Sequence, residues 1–593
     1  RMILSRLGLG ALVAILAHPD SGAAGGSSTH VPIAHKSYRF LERCEAKGVL
    51  VRLADGIKPF TRSEVAAALR RIEERRGLLS EVEQSELDLL RLEFGLDASP
   101  SIGREAADAS RGMGTGRLRS GEPLVRYAVP QGELFADIRL RNQVDAISGL
   151  GRARTEQVYR NHLGGVLRGE AWQRLGFRIA FLQTREQGNR SYVIRDDVFE
   201  RRLEVPQLKE DLADFHEGAA ALFFSPLPGL TVEVGKGQAS WGPAARDNLG
   251  LSDNAPGFDM IRLRGQFGIL KLVSIAGALR PCPDRPDSPQ CAGVGDTSSS
   301  YVVNGVRRPL ERQKYLAAHR VEASLFDWLD VGFQEVLVYG DRPPQATYLN
   351  PVMFYWAAQS YQGDKDNLMM GVDFDIHPGN GVKLYLAYVV DDLKKLRIFS
   401  DDFVNKFSLQ AGLLWVDPAG LRDTDLRVEY VRIEPWIYTH KFPINTFRNF
   451  DSPIGHSLGP NSDRWVVAAS RRFSRGLSLG ASLSRSRHGS NEILDDGAVL
   501  NVGGDLHRGW RPGDDRVSKD FLAGNLHVWT KMSLELEWRI LPGLGVAVGY
   551  ANEWGTNVPL PPRWRPNIAL GSRTGYGDGE SRLFSFDLRY GYF

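Results

Sequence analysis

From about residue 133 to the C-terminus, apolar residues return at every second position. In NLHVWTKMSLELEWRI (525–540), Leu526, Val528, Met532, Leu534, Leu536, Trp538 and Ile540 share one side, interrupted by Thr530. Asn525, His527, Lys531, Glu535, Glu537 and Arg539 take the other, with Trp529 as the exception. The last segment, SRLFSFDLRYGYF, puts Phe584, Phe586, Leu588, Tyr590 and Tyr592 opposite Ser585, Asp587, Arg589 and Gly591, with Phe593 out of step. A period of two predicts strands with one apolar face. Eighteen such strands can be placed between 133 and 593. The links after even-numbered strands are tight, for example SPLPG (225–229), FDW (326–328), HPGNG (377–381) and LPG (541–543), whereas most links after odd-numbered strands are long. Soluble sandwiches have no reason to sort loop lengths by parity. A membrane barrel does, with short periplasmic turns, long outer loops, a lipid-facing apolar face and a polar lumen. Closure pairs the last strand with the first, because an open edge in lipid would leave backbone groups unsatisfied.

Residues 25–97 follow a different period. Ser37–Lys47 reads as a helix ending at Gly48. FTRSEVAAALRRIEER carries Thr61 and Glu64 at capping-box spacing, with Val65, Leu69 and Ile72 on one face. LLSEVEQSELDLLRLEF repeats the device with Ser80 and Glu83. Helices this short bury little alone, so they must pack together or dock on something. The expected organisation is a signal peptide over 1–24, a periplasmic helical head over 25–97, a linker over 98–132 and the barrel over 133–593. The fold class is an all-β membrane barrel of about 18 antiparallel strands with a small N-terminal helical bundle.

Composition agrees with export. Met2 to Ala24 has a basic flank at Arg6, an apolar stretch over Leu7–Ala17 and small residues over 21–24, as a secretory signal does. The net charge of +3 gives no argument for nucleic acid. Among the three cysteines, Cys282 and Cys291 bracket CPDRPDSPQC and read as a disulfide in an oxidising compartment. Cys44 sits on a predicted helix and reads as a buried thiol.

Three stretches carry more than architecture: KGQASWGPAARDNLGLSDNAPGFDMIRLRG (236–265), YLNPVMFYWAAQSYQGDKDNLMMGVDF (348–374) and YTHKFPINTFRNFDSPIGHSLGPNSD (438–463). With the head segment YRFLERCEAKGV, they resemble the capsule assembly Wzi family. WGP…LSDNAP and IGHSLGPNSD are the most specific pieces, and the likeness runs from about Val31 to Phe593. The resemblance implies an 18-stranded outer-membrane barrel with a periplasmic helical bundle, acting as a surface lectin for capsular polysaccharide.

Sugars present both CH faces and hydroxyls, so flat aromatic faces beside hydrogen-bonding groups are the expected contacts. The candidates are Trp241, Asp253, Asn254, Tyr355, Trp356, Trp510, Arg511, Trp554, Trp564 and Arg565. Arginine beside an aromatic suits an acidic polymer. Several have plainer readings. Trp241 serves equally as an interfacial girdle residue, Asn254 as a loop-shaping residue, and Tyr355 and Trp356 as packing for a short helix against the wall. Further expected partners are outer-membrane lipid and lipopolysaccharide, and the barrel-insertion machinery that reads an aromatic C-terminus. No catalytic group, cofactor or metal is expected: His440, His456, His488 and His507 have no diagnostic spacing, and no ligand-spaced cluster is evident. The rival reading is a porin-like channel, tethered to the cell wall through its N-terminal helices.

Overall fold

The computed structural model describes residues 29–96 and most of 124–591, leaving aside 189–206, 209–211, 282–299, 393–400, 560–575 and isolated loop positions such as 151, 451 and 542. Eighteen antiparallel strands close into one barrel. In chain order they are β1 (Gly132–Gly149), β2 (Glu156–Ala171), β3 (Leu175–Gly188), β4 (Leu212–Leu227), β5 (Leu230–Gly237), β6 (Phe258–Phe267), β7 (Leu270–Ala278), β8 (Lys314–Phe326) and β9 (Leu329–Gly340). The second half holds β10 (Asn367–Ile376), β11 (Val382–Asp392), β12 (Lys406–Val416), β13 (Thr424–Ile433), β14 (Ser462–Arg472), β15 (Leu477–Ser490), β16 (Asn525–Leu541), β17 (Leu544–Pro559) and β18 (Tyr576–Tyr590). These are the strands the period of two predicts, and the tight turns follow the even-numbered ones. No described helix is long and apolar enough to cross a membrane.

Closure is made by β18 on β1, from Ser581 opposite Gly149 to Tyr590 opposite Leu140. β1 extends further, and its free stretch is paired by Val125–Val129, with Val125 opposite Ala136 and Val129 opposite Gly132. The end of the expected linker is therefore a strand. Its alternation explains this: Val125, Tyr127 and Val129 all point their apolar side chains outward and are exposed.

Alternation decides the two faces of the wall. Leu163, Leu167, Ile179, Phe181, Leu222, Phe224, Leu534, Leu536, Phe584 and Phe586 stand exposed on the outside. A belt of that size is untenable in water and suits lipid. Trp172, Trp328, Trp415, Phe473 and Trp538 ring the short-turn end, where Phe326 and Trp328 stack at 5.4 Å. Aromatics with one apolar and one polar edge suit that interface.

The lumen along β6–β13 is filled, and it is filled in two tiers. Toward the long-loop end the inward residues are apolar: Met260, Val273, Ile275, Leu316, Ala318, Val336, Val338, Met369, Val389 and Ile433 form one buried core with Ile57, Trp241, Leu249, Leu251, Tyr438, Phe447 and Ile454. Toward the short-turn end they are charged: Arg262, Arg264, Lys271, Arg320, Glu322, Asp330, Asp373, Asp375 and Lys383. The charged tier grips the N-terminal head.

The head is α1 (Ser37–Ala46), α2 (Arg62–Glu73) and α3 (Glu81–Glu93). Both expected capping boxes form, Thr61 with Glu64 and Ser80 with Glu83. Phe40, Leu41, Cys44, Val65, Leu69, Ile72, Leu87 and Leu90 make the head's own core. Cys44 is a buried free thiol, as expected, and burial raises its pKa. Docking uses the opposite faces. Arg43 bonds Glu83 inside the head, Asp417 in the β12–β13 turn at 2.5 Å, and Asp425 on β13. Gly48 adopts a positive φ of 71°, and a Cβ there would lie 3.0 Å from the Cα of Gly379 in the β10–β11 turn, so only glycine fits that close approach. The segment after α1 then enters the lumen. The amides of Ala54 and Gly56 donate to Asp330 and Glu322, and Lys271 donates to the carbonyls of Leu53 and Ala54.

Among the lumen charges expected from sequence, Arg320 is committed to the wall itself, bonded to Asp373 at 2.5 and 2.8 Å. Arg141 and Arg589 bond Asp587, and Glu429 accepts from Tyr385. Cys282 and Cys291 lie outside the described residues, as do Trp564 and Arg565.

Candidate functional site at the long-loop end

The 238–257 loop, between β5 and β6, turns into the barrel. Ser240–Trp241 pairs antiparallel with Ile57–Lys58 of the head, Ile57 opposite Trp241. Gly242 has a φ of 140°, and a Cβ there would meet the Asn248 carboxamide at 2.4 Å. That carboxamide closes the turn: it accepts from the Ala244 amide and donates to Ser240 Oγ at 3.0 Å. Leu249 and Leu251 then point into the lumen core. The WGPAARDN stretch is thus a local fold that carries its apolar neighbours inward.

The 434–461 loop closes on it. Asn254 Nδ2 donates to the Pro453 carbonyl at 2.9 Å, and the Ser252 amide donates to Ile454 at 2.8 Å. Asn449 Nδ2 donates to the Pro256 carbonyl at 3.0 Å, and Tyr438 OH to the Leu249 carbonyl at 2.7 Å. Asp247, itself at a φ of 57°, accepts from the Ser457 amide at 2.7 Å and from the Ser457 hydroxyl. His456 lies 3.4 Å from the same carboxylate and Arg464 3.3 Å. Burial pushes the His456 pKa down to about 4, Arg464 adding to the shift and Asp247 opposing it. The two most specific sequence stretches are one buried polar junction, and it caps the lumen core.

The third stretch goes the other way. Residues 346–361 form the short helices α4 (Ala346–Leu349) and α5 (Tyr355–Tyr361), and they pack on the outside of the wall. Tyr348, Tyr355 and Ala358 cover the outward side chains Ala317, Leu337, Tyr339 and Leu368. Beneath them is an outward-facing carboxylate, Glu335. It accepts from the Tyr355 amide at 2.8 Å and the Trp356 amide at 3.1 Å, and lies 2.8 Å from His319 Nε2. An unpaired carboxylate on the lipid side of a barrel is costly, and this short helix removes it from lipid.

The sequence candidates therefore separate. Trp241 is 1% exposed and packs in the lumen core, so it is not a girdle residue and its ring faces no solvent. Asn254 is buried and committed to Pro453. Tyr355 is buried, with its ring 4.3 Å from His319. Trp356 is 52% exposed, but on the outer wall. Trp554 is not a loop residue: it lies within β17, on the same outward face as Tyr550. Asp253 is half-buried and accepts from the Asp247 amide at 3.2 Å. Trp510 is half-buried beside exposed Arg511, whose guanidinium bonds Asp514 at 3.2 Å. Sequence reasoning missed Asp247, Asn248, Tyr438 and Ser457. The signal the sequence holds for them is their place inside the two quoted stretches, 236–265 and 438–463.

A closed 18-stranded wall with an outer lipid-facing belt defines an outer-membrane type of β-barrel, and the head and two loops fill its lumen along β6–β13. The profile of the Capsule assembly protein Wzi family matches residues 223–563, and the chain belongs to that family. The matched region contains both loops of the buried junction. Wzi of Escherichia coli, described as an outer membrane protein involved in group 1 capsule assembly and a carbohydrate-binding β-barrel, is similar in fold: TM-score 0.53 at 11% identity, over 94% of this chain and 99% of that one. OprD of Pseudomonas aeruginosa is more distant, with a TM-score of 0.40 at 11% identity over 77% of this chain and 92% of that one. OccK7 of the same organism gives 0.39 at 10% identity over 78% and 99%. No curated protein matches the chain in sequence.

Proposed function

We propose that this protein binds a capsular or extracellular polysaccharide at the cell surface and holds it there. Family membership over 223–563 is the observation that carries the reading. In this reading the long-loop end is extracellular, the short turns and the helical head face the periplasm, and residues 1–24 are removed on export. The protein acts by binding, with no catalytic step. The polymer lies across the long-loop crown, contacting Asp253, Trp510 and Arg511 together with Trp564 and Arg565. Trp356 and Trp554 face lipid and lipopolysaccharide instead, because both stand on the outside of the wall. One stacking aromatic contributes about 0.5–1.5 kcal/mol beyond its buried area. Retention of a long polymer then depends on many barrels engaging a repeating chain.

Deleting the gene is the test. Polymer should move from cells to medium with total synthesis unchanged. Trp510→Ala combined with Trp564→Ala should do the same while the barrel still inserts and stays heat-modifiable on gels. Normal cell-bound polymer in the deletion strain, together with free ion conduction by the pure protein in planar bilayers, would replace this reading with a porin.

A further inference from the structure

Where α1 meets the β10–β11 turn, three buried ligand atoms face one another. They are the Oε1 of Glu45 on α1, a carboxylate oxygen of Asp330 at the start of β9, and the Nε2 of His377 in the turn. All lie within 4.8 Å of one another. His377 Nε2 is 3.4 Å from Glu45 Oε1 and 3.5 Å from Asp330 Oδ2. The three residues are 1%, 2% and 3% exposed. Among the described residues, neither Glu45 Oε1 nor His377 Nε2 has a hydrogen-bond partner, and Asp330 Oδ1 also lacks one. A buried imidazole nitrogen aimed without a hydrogen bond at two carboxylates is costly as it stands.

The neighbouring cation does not fill this gap. Lys383 sits on the far side, 2.9 Å from Glu45 Oε2, 3.1 Å from Asp55 and 2.6 Å from Asp375. Its one ammonium faces those three carboxylates, and Asp330 stands beyond them as a fourth. Lys58 adds a second ammonium 3.9 Å from the same Asp55 carboxylate, so both cations are engaged on the Asp55 side of the cluster.

We propose that Glu45, Asp330 and His377 bind a divalent transition-metal ion of the zinc type, which staples the head to the wall. One imidazole and two carboxylates are a donor set zinc accepts. Ligand atoms about 2.0–2.1 Å from a tetrahedral ion stand about 3.3 Å apart, close to the 3.4 and 3.5 Å that His377 Nε2 keeps from the two carboxylates. Calcium would ask for six or more oxygen donors. The flanking groups already orient the ligands: Lys383 holds the other Glu45 oxygen, and the Ala54 amide donates to Asp330 Oδ2 at 3.2 Å. The three ligands come from the head, the wall and a turn, so an ion here joins parts of the chain far apart in sequence. This inference is independent of polysaccharide binding.

The test uses the untagged full chain in detergent, stripped with a chelator, incubated with zinc sulfate and passed through a desalting column. Mass spectrometry of the retained metal should give one zinc per chain. His377→Gln and Glu45→Gln should each lower retention at least tenfold, while His507→Ala keeps it. Zinc should also slow proteolysis of the head in the parent protein and leave His377→Gln unaffected. If His377→Gln fails to fold, as judged by loss of heat-modifiable migration, cobalt(II) added to the parent protein decides: a visible d–d band of a tetrahedral nitrogen–carboxylate site supports the proposal. No retained zinc, no such band, or full retention by a folded His377→Gln would overturn it.

Discussion

Asn254 and Pro453, 199 residues apart, are joined by a single hydrogen bond of 2.9 Å from a side-chain amide to a backbone carbonyl. This bond ties the loop after β5 to the loop after β13, directly over the lumen core. Asn254→Ala leaves the part-buried Pro453 carbonyl without that donor, which costs about 1 kcal/mol. The loops should open locally while the wall stays intact. Protease cleavage within 438–462 should rise several-fold, with heat-modifiable migration unchanged.

Arg43 is the anchor of the head. Its side chain is 1% exposed and faces Glu83, Asp417 and Asp425 together. Arg43→Ala strands Glu83, which is fully buried, with Lys47 as its remaining cation. Removing one partner of a buried pair costs about 3–5 kcal/mol. The head should undock, and residues 29–96 should become the first proteolytic fragment released from an otherwise folded barrel. Arg43→Met, which keeps the volume but not the charge, should undock it as well. An intact head in both variants would show that the lumen contacts of Ala54, Gly56 and Lys271 suffice.

Trp356 stands on α5, outside the wall, next to the lipid-facing belt. In vesicles containing brominated lipids its emission should be quenched more strongly than by aqueous acrylamide, measured as the difference between the parent protein and Trp356→Phe. Stronger quenching by acrylamide would return Trp356 to the polysaccharide-binding candidates.

The wall was legible because a barrel strand writes its two faces into a strict period of two, and the parity of loop lengths reports its sidedness. The capping boxes at Thr61–Glu64 and Ser80–Glu83 were legible for the same local reason. The plug was not. Ile57 pairing with Trp241, or Asp247 with Ser457, depends on where long loops travel after leaving the wall, and no periodicity encodes that. The inward residues of β6–β13 held a partial signal. Val273, Ile275, Val336, Val338 and Ile433 put apolar side chains on a face that a water-filled pore would keep polar, so both faces of these strands are apolar toward the long-loop end. The outward turn of 346–361 had a signal as well, since Glu335 and His319 place a carboxylate and an imidazole on the lipid side and require a cover.

The junction should respond to pH through His456. Its ring is fully buried, and burial, with Arg464 beside it, holds its pKa down to about 4. In the unfolded chain the imidazole takes its proton near pH 6.5. Between those values the unfolded state binds more protons than the folded one, so stability rises with pH across that window. The full stabilising contribution of the neutral ring is present above about pH 6.5 and declines as the pH falls toward 4. A shift of that size corresponds to about 3 kcal/mol. The value of about 4 already includes the opposing attraction of Asp247, whose carboxylate lies 3.4 Å from the ring. Hydrogen exchange of 446–462 should therefore accelerate as the pH is lowered from 6.5 to 4, after correction for intrinsic rates. His456→Gln, which carries no titrating group, should flatten that dependence. An unchanged slope in the variant would assign the acid response to another buried group, with His30 the first to examine, since burial and the arginines around it also hold its pKa well below the ordinary value.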